Sequence, residues 1–258
     1  MSSLENTAAR LLALLRAMAK HPQKIAHANS SHEDWSQFLQ SYTGVEGWDS
    51  LKVTQYILTA NDQVSQLEKQ LSRRSVPKSA YRHAINQARA VLSAATFSNP
   101  WSSLKPKIDE LTTVSLEWAV VVLDKVESQL SEDQLTEMYG LIVELEQLLN
   151  EDDVPPALKV AIERHLSGAR DALDTYTIGG AEKLKESIEK SIGAIHSDKE
   201  VLAAAAQSDD EVQTTILDRF GRWFNKSVSA VNAATNGMTS LVKLGNSAAD
   251  FTKMLGMG

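Results

Sequence analysis

Between Asp49 and Arg73 the apolar residues Val53, Ile57, Ala60, Val64, Leu67 and Leu71 fall at alternating steps of four and three. A strand places every second residue on one face, so this spacing cannot line one side of a sheet. A helix with 3.6 residues per turn brings all six onto one stripe. The stripe is long enough to pack lengthwise on a neighbour and spans under three heptads, which favours a bundle core over a free coiled coil.

The same period recurs along the chain. Leu11, Leu12, Leu15 and Met18 mark a first helix, and Trp35, Phe38 and Leu39 a short second one opened by a loose Ser31/Asp34 capping box. Pro77 starts the helix after the heptad segment, and Asn99-Pro100 ends the turn that follows it. Pro106 is expected to open a helix whose core side carries Ile108, Leu111, Ser115, Trp118, Val122 and Val126, although Ala119-Val120-Val121-Val122 is β-branched. Ser131 and Gln134 form a capping box for a helix with Leu135, Met138, Leu141, Ile142, Leu145, Leu148 and Leu149 inward. Asp153 is expected to cap a helix striped by Leu158, Ile162, Leu166, Ala169 and Leu173. A turn at Gly179-Gly180 then returns the chain through Leu184, Ile188, Ile192 and Ile195 as an αα-hairpin.

No segment reads as a strand. The expectation is an all-α, multi-helix bundle of about ten helices with αα-hairpins and no sheet, which removes nucleotide-binding α/β folds. It divides into an N-terminal helical bundle at 1–150, an αα-hairpin module at 151–207, and C-terminal amphipathic and small-residue helices at 209–258.

Composition narrows the chemistry. The chain has 258 residues, 43% of them hydrophobic, and no cysteine, so disulfides, thiolate catalysis and Cys-ligated metal sites are excluded. The N-terminal stretch is interrupted by Arg10 and Arg16 and reads as an amphipathic helix, not a signal peptide. A cytoplasmic location is expected, with peripheral contact at a membrane as the conditional case.

The net charge of −7 is uneven. Residues 131–153 hold eight acids and no base, whereas 63–107 hold eight bases against Glu68 alone. The two stretches are expected to complement one another in part, and the acidic total argues against a nucleic-acid partner. The six histidines are scattered without HExxH or HxH, and no GxSxG or P-loop is present. No catalytic residue, metal ligand or cofactor is assigned. Arg16 and His21 look like the R-x4-H motif of HEPN ribonucleases, a pairing that implies a cation for the phosphate and an imidazole for proton transfer. With ten Arg and six His in the chain, about one such match arises by chance. This reading ranks third.

The C-terminal region supplies the candidate interaction residues. Ile216, Leu217, Phe220, Trp223, Phe224, Val228 and Val231 form an apolar stripe opposite Arg219, Arg222 and Lys226. Beyond Lys226 the residues become small, with Ala233, Gly237, Gly245 and Ala249 at multiples of four and Leu241 between them. Such a ridge admits close helix approach, yet the uncharged run from Ser227 to Val242 is too short and polar for a constitutive membrane span. The first functional reading is a non-enzymatic helical interaction or assembly protein, with a protein partner or a homo-oligomer, using this ridge. The second is a membrane-active, pore-forming or membrane-perturbing effector of toxin or cell-defence type, anchored through Trp223 and Phe224.

Overall fold

The computed structural model describes residues 6–22, 31–93, 95–96, 99, 101–123, 129–151 and 153–234. Among these residues are eleven α-helices and no strand. The chain forms two compact units, one of residues 1–126 with 177–179, the other of residues 127–176 with 180–258. The division falls near residue 126, not 150, and it places the αα-hairpin and the C-terminal amphipathic helix in one unit.

The first unit holds α1 (Thr7–Lys20), α2 (Ser31–Thr43), α3 (Ser50–Arg73), α4 (Lys78–Val91), the short α5 (Trp101–Leu104) and α6 (Glu110–Val122), with a 3-10 turn at Lys105–Lys107 before α6. The side chain of Ser31 lies outside the described residues, so the expected cap there is not placed. Asp49 caps α3 by accepting a bond from the Lys52 amide at 2.9 Å. The six heptad residues of α3 are all buried. They meet α1, α2 and α4, which present the buried Leu11, Leu15 and Met18, Trp35 and Leu39, and Tyr81, Ala84 and Ile85. Near the ends of these helices Trp35, Phe38 and Trp101 form an aromatic cluster with ring centroids 5.0–6.0 Å apart. Such edge and tilted contacts fill the irregular space that aliphatic stripes leave at a bundle end.

The second unit holds α7 (Glu132–Leu148), α8 (Pro156–Asp174), α9 (Tyr176–Ser197) apart from its residues 177–179, α10 (Lys199–Ala206) and α11 (Glu211–Ala234). The capping box at the start of α7 is complete. The Gln134 amide donates to Ser131 Oγ at 3.1 Å, and the Ser131 amide donates to Gln134 Oε1 at 2.8 Å. Asp153 does not cap α8; the N-cap is Pro155, which has no side-chain acceptor. Two prolines at the helix start displace the cap, because the residue before a proline is held out of the helical region.

α8 and α9 run antiparallel, for Gly168 faces Ser187 while Arg164 and His165 reach Asp198. The turn between them uses Gly180, with φ 67° and ψ −167° inside α9. Only glycine occupies that region without strain, so the expected glycine turn has a specific backbone cause. All seven stripe residues of α11 are buried, against α7 and α10.

Three of the acids of α7 are paired within their own unit. Glu144 pairs with Arg219 at 3.0 Å, and Glu137 and Glu146 pair with Lys226 and Arg170. Residues of the basic stretch at 63–107 have partners of their own. There, Arg89 pairs with Glu68 at 2.6 Å, Arg74 donates to the Val122 carbonyl, and Lys105 donates to that of His21.

Candidate interaction surface

The helix α6 departs furthest from a simple amphipathic pattern. Asp109 caps it, accepting from the Thr112 amide at 2.7 Å and facing His83 Nε2 at 2.8 Å. Those bonds, Thr112 first, hold the Asp109 carboxyl below its ordinary pKa. At the other end the Val120 carbonyl accepts from Asn6 Nδ2 at 3.0 Å and the Val122 carbonyl from Arg74 at 2.9 Å. Carbonyls that a helix end leaves open are thereby satisfied by side chains of other segments of the unit. The helix is fixed at both ends.

Its buried face, against α1 and α4, consists of Thr112, Ser115, Leu116 and Ala119. Leu111, Val114, Trp118 and Val121 point outward, 56%, 50%, 39% and 84% exposed. The expected core side was therefore wrong at Leu111 and Trp118. The outward face is the more apolar of the two, the reverse of what water selects for a surface helix of a monomer. The steps of three, four and three put the four side chains on one stripe.

Trp118 marks the point sharply. The other four tryptophans of the chain, Trp35, Trp48, Trp101 and Trp223, are buried. The remaining exposed large apolar side chains among the described residues, Leu51, Leu58, Val143 and Val160, are spread over three helices and need no partner.

The residues singled out by sequence are placed otherwise. Trp223 and Phe224 are fully buried and belong to an aromatic cluster with Phe220, so a membrane could meet them only after α11 left its unit. Ala233 is exposed near the end of α11. Gly237, Leu241, Gly245 and Ala249 lie outside the described residues. No helix among the described residues is long and apolar enough to cross a membrane.

The Arg16/His21 pair is engaged in separate contacts. Arg16 pairs with Glu117 of α6, whereas the His21 ring sits edge-on to Phe38 and Trp101 at 5.4 and 5.6 Å. No group of three or more potential metal ligands occurs among the described residues.

A buried ionisable constellation lies between α8 and the end of α9. Arg164 holds both Asp198 oxygens at 2.9 and 3.2 Å, and His165, fully buried, places Nε2 3.3 Å from Asp198 Oδ2 with its ring 5.4 Å from Phe220 of α11. Burial lowers the His165 pKa below its ordinary value and Arg164 adds to this, while Asp198 opposes it. An unfolded histidine titrates near 6.5, so the folded state binds fewer protons there. The stability contributed by neutral His165 is whole above that pH and is lost as pH falls below it.

Denaturant unfolding is expected to show this loss as pH falls below about 6.5, at no more than about 1.4 kcal/mol per pH unit for one proton. His165→Leu should flatten the slope. An unchanged slope in that variant would place the proton uptake elsewhere.

Comparison with known proteins returns nothing. No family model matches the chain, and neither a curated protein nor a solved structure does.

Proposed function

We propose that this chain is a helical interaction protein, non-enzymatic in its role, that docks a protein partner on the outward stripe of α6. The observation that supports the reading is the inversion of α6, whose solvent side carries Leu111, Val114, Trp118 and Val121 while its inner side carries Thr112 and Ser115. A rigid, capped helix presenting one tryptophan among aliphatic side chains has the composition of an interface centre. Covering it removes apolar surface from water at roughly 25 cal/mol per Å². The small-residue ridge at Ala233, Gly237, Gly245 and Ala249 remains a second surface of the same kind on sequence grounds.

The test is a photo-crosslinking side chain at position 121 in the intact protein, irradiated in its native cells, with one at Glu163 on α8 as the exposed control. A discrete protein adduct at 121 and none at 163 is the expected result. Equal, diffuse labelling at both sites would end the reading.

A further inference from the structure

The spacing of the stripe says more about its partner. We infer that the outward face of α6 is the seam of a two-fold symmetric homodimer, in which α6 of one chain packs antiparallel on α6 of a second copy; this rests on the reading of α6 as a docking face. Steps of three, four and three read the same in both directions. A two-fold axis opposite residue 116 therefore pairs Leu111 with Val121 of the other copy and Val114 with Trp118, setting a large side chain against a smaller one at each layer. An isologous interface requires that self-match, since one patch must complement itself under a half-turn.

The charges at the two ends obey the same symmetry, and Glu117, exposed one residue from the axis, is paired in each copy with its own Arg16. Glu110 stands exposed at the first turn of α6, and the exposed Arg74 reaches the opposite end of the helix, where it donates to the Val122 carbonyl. The half-turn that sets residue 111 against 121 brings Glu110 of each copy towards Arg74 of the other. Unlike charges then flank the apolar seam at both ends, which fixes the antiparallel direction and disfavours the parallel one, where like ends would meet.

A membrane surface offers no such match, because the flank carries an acid at one end and a base at the other and the chain as a whole is anionic. Four side chains are fewer than an obligate interface uses, so the dimer is reversible and concentration-dependent.

Sedimentation of the full chain decides it. Over about 1 to 200 μM protein, the wild type is expected to pass from a 28.3 kDa species to one of twice that mass. Val121→Asp, at the most exposed position of the stripe, should raise the dissociation constant about tenfold or more with an unchanged melting temperature. Glu110→Arg and Arg74→Glu should each weaken association alone and recover it when the two variants are mixed, since only the mixed pair restores opposite charges at both ends.

A wild type that stays monomeric throughout, or a dimer indifferent to Val121→Asp, overturns the homodimer. If the monomeric wild type nonetheless gives a position-121 adduct with a different protein, docking at α6 stands and self-association falls. If it instead floats with lipid vesicles of mixed neutral and anionic composition, and Val121→Asp does not, the surface is a lipid contact and the inference is wrong. Homodimers with no dependence on the Glu110/Arg74 exchange refute the antiparallel seam.

Discussion

Trp223→Ala is expected to lower the stability of the second unit by about 3–5 kcal/mol, the range for truncating a large buried aromatic residue. Trp223 is fully buried, its ring nearly parallel to that of Phe220 at 5.7 Å and 6.3 Å from that of Phe224. Alanine would leave a void between side chains already held by α7 and α10, so the site can collapse only in part. Trp223→Phe should lose markedly less, because most of the ring volume remains. The measurement is denaturant unfolding followed by far-ultraviolet circular dichroism, as tryptophan emission would itself change. A loss under about 1 kcal/mol would mean that α11 is loosely docked. It would then favour the reading in which the helix leaves its unit and offers Trp223 and Phe224 to a membrane.

Where one face of a helix is apolar and the other charged, sequence periodicity located the core. The heptad of α3, the stripe of α8 and the stripe of α11 are buried residue for residue. The capping box of α7 was equally legible, because Ser131 and Gln134 satisfy each other across three residues without help from the rest of the fold. Local chemistry suffices for such features.

α6 lacked that contrast. Leu111, Val114, Trp118 and Val121 line one side of the helix and Leu116 and Ala119 the other, so apolar spacing alone fits two registers, and the larger side chains suggested the wrong one. Only the neighbours α1 and α4 decide that Thr112 and Ser115 turn inward. Burying two hydroxyls while exposing Trp118 gains nothing in an isolated chain. The candidate site was thus hidden by the feature that makes it a site. A helix with apolar side chains on both faces gives no phase.

Arg10 was misleading in the opposite sense. In sequence it interrupts an apolar run and reads as the wet side of an amphipathic helix, yet its side chain is buried in the first unit. Its Nε donates to the Ile178 carbonyl at 3.0 Å and its Nη2 to Gln63 Oε1 at 3.1 Å. Ile178 and Gln63 are themselves buried, so neither acceptor has ready access to water if the guanidinium is removed. Hydrogen bonds from a charged donor are worth about 1.5–3 kcal/mol each, and orphaned acceptors add their desolvation cost.

Arg10→Ala is therefore expected to destabilise the first unit by about 3–5 kcal/mol, comparable with breaking a buried ion pair. Arg10→Met separates the causes. It refills the space of the aliphatic stem and should recover about 1–2 kcal/mol through packing alone, leaving the acceptors unpaired. Arg10→Lys should fall between them, since a single ammonium cannot span both acceptors as the planar fork does. All three are read by the same unfolding measurement. Should Arg10→Met match the wild type, the two hydrogen bonds hold nothing and α1 is an ordinary amphipathic helix. Should Arg10→Ala and Arg10→Met be equally poor, the stem contributes no packing and the guanidinium bonds account for the whole effect.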